Sequence, residues 1–208
     1  MAIGTPSACE AARDSINQKT VRFLPWIPRG FGGGPLRRLL VLGESHYGKP
    51  AEDVPSLTND VVSCYIAGAN FRFFTTLSMV LTKEDRSQID RYAIWSRIAF
   101  YNYVQWLVSE KARVTPSESM FNESQKAFFD VIDEIRPTHL IACGMRLWNH
   151  MPNFTSDGAH ITHDGKQYLY GPYARNWGTL LALGINHPSS AFVQSRWRPV
   201  IKSFLSMR

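Results

Sequence analysis

Four short apolar runs stand out along the chain: Leu39 to Leu42, Arg97 to Tyr101, His139 to Cys143, and Leu180 to Ile185. Each has the length of a strand and is bounded by Gly, Pro, Asn or charged residues. Their apolarity is nearly continuous, the pattern of strands covered on both faces in a parallel sheet. Between them the spacing turns helical, with Phe71, Phe74, Leu77 and Leu81 in one stretch and Phe128, Ile132 and Ile135 in another. Strands alternating with helices predict right-handed βαβ crossovers, hence an α/β fold whose central sheet is mostly parallel and four-stranded. The opening segment, with Pro25, Pro28, Gly30, Gly32, Gly33, Gly34 and Pro35, fits neither period. Residues 1–36 are therefore expected to form an irregular N-terminal arm. Residues 152–176, rich in Gly, Asn, Asp and Tyr, predict an excursion or hairpin before the last strand. The 208 residues, without an internal repeat, fit one domain spanning 1–208.

In an open parallel sheet, the loops leaving the carboxyl ends of the strands gather in one crevice. The first run is followed by Gly43-Glu44-Ser45-His46-Tyr47-Gly48 and the second by Asn102-Tyr103-Val104-Gln105. The third is followed by Gly144-Met145-Arg146 and the fourth by Asn186-His187-Pro188-Ser189-Ser190. These exits carry a carboxylate, two imidazoles, an amide and several small hydroxyls. The candidate chemistry is therefore expected where the first loop meets His187 and its neighbours.

Composition narrows the class. A hydrophobic fraction of 44% with 12% aromatics is globular and excludes wholesale disorder. There is no apolar stretch long enough to span a bilayer and no signal-peptide pattern at Met1 to Pro6, which predicts a cytoplasmic protein. Cys9, Cys64 and Cys143 are unpaired in spacing and are expected as free thiols, Cys143 in the core. That spacing holds no zinc or iron–sulfur pattern, so no metal is expected. The net charge is +6, and after Asp164 come six basic residues with no acid. Such an excess suits a polyanion, and equally a solvated basic face.

The ordered set Leu42 to Gly48, Ala99-Phe100-Tyr101-Asn102, Leu140 to Gly144, and His187-Pro188-Ser189-Ser190 resembles the uracil-DNA glycosylase superfamily. That family has a first-strand motif of the type G-Q-D-P-Y-H or G-E-x-P-G, a strand ending in Asn, one ending in Gly, and a terminal H-P-S. The order and spacing agree over roughly residues 37 to 205. The resemblance implies a three-layer α/β/α sandwich, and an enzyme without cofactor or metal that flips a base from DNA and cleaves its N-glycosidic bond; a monomer is expected. It implies that His187 stabilises the departing base anion, that Asn102 reads the base edge, and that Tyr47 and Phe73 or Phe74 flank the base. Gly43 and His46 complete the motif-one pocket. Pro188, Ser189 and Ser190 are implied contacts to a backbone phosphate. Arg196 and Arg198, on either side of Trp197, form an expected strand-binding edge.

Motif one departs from the family where water is handled. The strictest members place Asp two residues after the Gly, where this chain has Ser45. Some relatives carry Glu directly after the Gly and a small residue next, which matches Glu44-Ser45. Glu44 is thus the expected water-positioning group, since a neutral hydroxyl is a poor general base. His46 stands where the family has Pro, which leaves a uracil-type or a bulkier, modified pyrimidine open. Two rivals stay open at this level. Ser45, Asn59 and His187 are similar to the blocks of SGNH esterases, with Ser45 as nucleophile and His187 as base. A binding module of the same fold that had lost activity would leave Glu44 dispensable.

Overall fold

The computed structural model describes residues 16, 19–34, 36–111, 113–190 and 192–207. Cys9, expected as a free thiol, and positions 1–15, 17, 18 and 35 of the expected arm lie outside the described residues. The strands are β1 (Leu39–Gly43), β2 (Ala99–Asn102), β3 (His139–Cys143), β4 (Ala159–His163), β5 (Lys166–Arg175) and β6 (Gly178–Ile185). The helices are α1 (Leu57–Ile66), α2 (Arg72–Thr82), α3 (Arg91–Trp95), α4 (Glu118–Ile135), α5 (Met145–His150) and α6 (Gln194–Leu205).

The strands form a single mixed sheet in the order β2-β1-β3-β6-β5-β4. The four apolar runs became β2, β1, β3 and β6, all mutually parallel. The expected four-stranded sheet is corrected to six strands, because the hairpin β4–β5 adds antiparallel to β6. Both added strands lie at one edge and keep many side chains in solvent, so neither reads as a continuous apolar run. Their turn is Asp164-Gly165, both at positive φ, the conformation that a tight hairpin with Asp-Gly favours.

Alternate strand residues point to opposite faces, and both faces are covered. On one face Leu40, Leu42, Tyr101, Leu140 and Ala142 meet Phe121, Phe128, Val131 and Ile132 of α4. On the other, Leu39, Val41, Phe100, Ile141 and Ile185 meet Val62 of α1, Phe74 and Leu77 of α2, Trp95 of α3, and Val200 and Phe204 of α6. This is why β1 and β3 are buried at every position. Helix α4 begins on Ser117, whose hydroxyl accepts from the Met120 amide at 3.3 Å, and stops where Arg136 turns left-handed.

The described part of the arm contains no helix or strand, yet it is packed. Val21 and Phe23 are buried, and Trp26 exchanges two backbone hydrogen bonds with Phe100. The arm thereby covers the free edge of β2, which would otherwise offer unpaired amides. Cys64 is exposed and Cys143 buried, both as free thiols. No helix among the described residues is long and apolar enough to cross a membrane.

Candidate functional site

A cavity of about 930 Å³ opens at the carboxyl ends of the parallel strands, on the face covered by α1 and α2. All four strand exits reach it: Gly43 to Tyr47 after β1, Asn102 after β2, Gly144 to Arg146 after β3, and His187, Ser189 and Ser190 after β6. The convergence expected from the strand order is therefore present. Phe73, Phe74 and Phe100 form its apolar wall.

The loop after β1 is held by continued pairing rather than left free. The carbonyls of Gly43, Glu44 and His46 accept from the amides of Tyr103, Val104 and Val108 at 3.0, 2.9 and 3.1 Å. The Gly48 amide then donates to the Ser109 carbonyl at 3.0 Å. Tyr47 lines the cavity and ties its hydroxyl to the Val114 carbonyl at 3.0 Å, which pins the neighbouring loop over the site. At Gly43 any Cβ would fall 2.1 Å from the Asn102 side-chain oxygen, so only Gly permits the amide to lie there.

Glu44 has a side chain only 11% exposed and is paired with Arg146. The Arg146 Nε donates to one carboxylate oxygen at 2.8 Å and Nη2 donates to the other, while Nη1 donates to Thr115 Oγ1 at 2.9 Å. This fork fixes the carboxylate plane. Each oxygen keeps a further lone pair, so the group can still accept from a water.

His187 is half-buried, and its ring lies 5.4 Å from that of Phe73. Its Nδ1 accepts from the Ser189 amide at 3.2 Å. A nitrogen that accepts carries no proton, so the neutral ring bears its hydrogen on Nε2, as a donor. Burial lowers the pKa of His187; Glu44 opposes that shift and Arg146 reinforces it. Gly144, beside the ring, has φ +127°, a conformation that a side chain would strain.

His46 is 5% exposed, with Nε2 2.9 Å from Thr58 Oγ1 and 3.1 Å from Asn102 Nδ2. Desolvation pushes its pKa down to about 4, so it is neutral at pH 7. Ser45 Oγ is buried and has no hydrogen-bond partner among the described residues.

Several expected contacts fall elsewhere. Phe74 stays in the cavity wall, but most of its ring is held by the core, stacked on Tyr65 at 5.2 Å and edge-on to Trp95 and Phe100, while half-buried Phe73 is the aromatic beside His187. Ser189 and Ser190 line the cavity, whereas Pro188 is buried beneath them. Arg196 and Arg198 lie away from the cavity on α6. Arg198 is turned back onto α2, donating to the Met79 carbonyl at 3.2 Å. Trp197 is buried against Tyr168 and Phe192, so it offers no outward aromatic edge. The expectation of a mixed aromatic and basic edge fails at Trp197, because the apolar stripe of an amphipathic helix faces its own core.

Two site residues carried no recognisable signal in the sequence. Arg113 lines the cavity from a loop at φ +71° and makes no ion pair among the described residues. Thr58, fully buried at the start of α1, is visible only through its bond to His46. Among the described residues, no three His, Cys, Asp or Glu side chains gather as a group that could hold a metal ion. Compared with known protein families and with curated proteins, the chain matches none.

Proposed function

We propose that the cavity is the base pocket of a DNA glycosylase-like hydrolase that excises a uracil-type or modified pyrimidine. The observation that carries this reading is the delivery of Glu44, Asn102 and His187 from three separate strand exits to one cavity. In the proposed reaction, Nε2–H of His187 donates to the oxygen of the base as the N-glycosidic bond breaks and negative charge builds there. Asn102 hydrogen-bonds the base edge, and Phe73 lies against the ring. Glu44, immobilised by Arg146, orients the water that attacks the sugar carbon. Arg113 and the Ser189 hydroxyl are the groups available to the flanking phosphates, since the Ser190 hydroxyl and amide both donate to the His187 carbonyl. The three-layer sandwich of this family is part of the same proposal.

The same geometry disfavours an esterase. A histidine base for Ser45 would need an unprotonated nitrogen facing that hydroxyl, whereas Nδ1 of His187 is occupied by Ser189 and Ser45 Oγ has no partner.

The test is a panel of labelled oligonucleotides bearing uracil, mismatched, oxidised and bulky modified pyrimidines, assayed for alkali-labile abasic sites. Release of at least one base is expected, with Glu44→Gln and His187→Ala each slower by about a hundredfold or more. DNA binding without release of any base, unchanged by Glu44→Gln, would instead identify a binding module.

A further inference from the structure

A side-chain amide has nearly the same shape in two orientations, one presenting a carbonyl oxygen and the other an NH2 group. What Asn102 reads therefore depends on what fixes its orientation. Its Nδ2 lies 3.1 Å from His46 Nε2. An amide nitrogen only donates, so Nε2 must offer a lone pair and the ring proton must sit on Nδ1. The same Nε2 is 2.9 Å from Thr58 Oγ1, and the ring is wedged against the edge of Phe23 with centroids 5.0 Å apart. Neither His46 nor Thr58 has room to exchange its partner for bulk water, since they are 5% and 0% exposed. On the other side of the amide, Oδ1 occupies the space above Gly43 that a Cβ would fill, at the cavity wall. The Asn102 carbonyl is thus aimed by a residue from the β1 exit loop and one from α1.

We propose that His46, backed by Thr58, is a positioning residue that locks the Asn102 amide with its carbonyl oxygen toward the cavity, ready to accept from the ring N–H of the pyrimidine that the proposed function places there. The resulting preference rests on Asn102 being the group that reads the base. A uracil- or thymine-like edge offers such a donor; a cytosine-like edge offers a lone pair at the same position, and two acceptors would then face each other. His46 acts through Asn102.

Two measurements test this. Two-bond 1H–15N correlations on protein with 15N-labelled histidine, at pH 7, should show His46 with Nδ1 protonated and Nε2 unprotonated. A protonated Nε2 would overturn the proposal, since the amide would then have to present its NH2 group to the cavity. Second, binding of the free bases uracil and 3-methyluracil, whose ring donor is blocked, should be compared by ligand-observed NMR. The wild-type protein should prefer uracil by about tenfold or more, and His46→Phe should shrink the preference to about threefold or less. His46→Gln, whose side-chain oxygen can accept from Asn102, should restore it, and both variants should show wild-type far-UV circular dichroism. An undiminished preference in a folded His46→Phe would sink the role of His46 alone. Failure of the wild-type protein to bind either base would sink Asn102 as the base reader and the selectivity with it.

Discussion

At the scale of single residues, the site depends on close approach and on which atoms carry protons. Gly43 matters for what it lacks, because Ala there would place a methyl group 2.1 Å from the Asn102 oxygen. Gly43→Ala is expected to displace the amide and reduce base release to the level of Asn102→Ala while leaving the circular dichroism spectrum unchanged. A wild-type rate in Gly43→Ala would show that Asn102 has no part in recognition. His46 also ties the site to stability. In the native state it stays neutral down to about pH 4, while an unfolded imidazole takes up a proton near 6.5. Between those values the unfolded chain binds more protons, so stability falls as pH drops through the window, by about 3 kcal/mol at most from this residue. His139 and His187, also depressed by burial, act in the same direction, and His150, raised by its bond to the Arg146 carbonyl and by Glu118, acts in the opposite one. Urea unfolding at pH 7 and pH 4.5 should therefore show a smaller loss in His46→Phe than in the wild type.

At the scale of elements, the sheet acts as the platform on which the exits are arrayed. Strand β3 is central in this respect, pairing with β1 on one side and β6 on the other. Its Leu140 is fully buried against the α4 face. Leu140→Ala is expected to destabilise the protein by about 2–5 kcal/mol, read as a lower urea midpoint, because the removed methyls leave a void between two rigid layers. Once the variant is folded, the relative rates on different bases should not change, since Leu140 lies outside the cavity. A changed ranking of substrates would mean that the sheet transmits strain to the site. The loop after β1 has a different standing. It is strung along residues 103–109 by ladder hydrogen bonds and clamped by the Arg146 fork, so its order depends on elements that follow it in the chain.

At the scale of the whole molecule, charge and exposure decide where a polyanion could bind. The net charge is +6, but the basic residues are not equivalent. Arg146 is neutralised by Glu44 and Arg175 by Asp133, while Arg198 is folded onto α2. Arg113 makes no ion pair among the described residues and sits at the cavity. If DNA is the ligand, the logarithm of the binding constant should fall linearly with the logarithm of salt concentration. Arg113→Ala should reduce that slope by about one phosphate's worth, and Arg198→Ala should leave it unchanged. The reverse pattern would move the strand path from the cavity mouth to α6.

The sequence by itself determined the framework. Continuous apolar runs at Leu39, Ala99, His139 and Leu180, separated by helical spacing, were enough to specify four parallel strands and the end of the sheet at which Glu44, Asn102 and His187 emerge. Such patterns are local, because strand and helix periods are written into neighbouring residues. The partners of those exits were decided only by tertiary structure. Glu44 and Arg146 are 102 residues apart and Asn102 and His46 are 56 apart, and no periodicity relates such distant positions. The half-exposed hairpin β4–β5, the burial of Trp197, and the use of Phe74 by the core also depended on what packs against them. Burial depends on the neighbours an element acquires on folding, and it is burial that leaves His46 neutral at the cavity wall and bonded to Asn102 and Thr58.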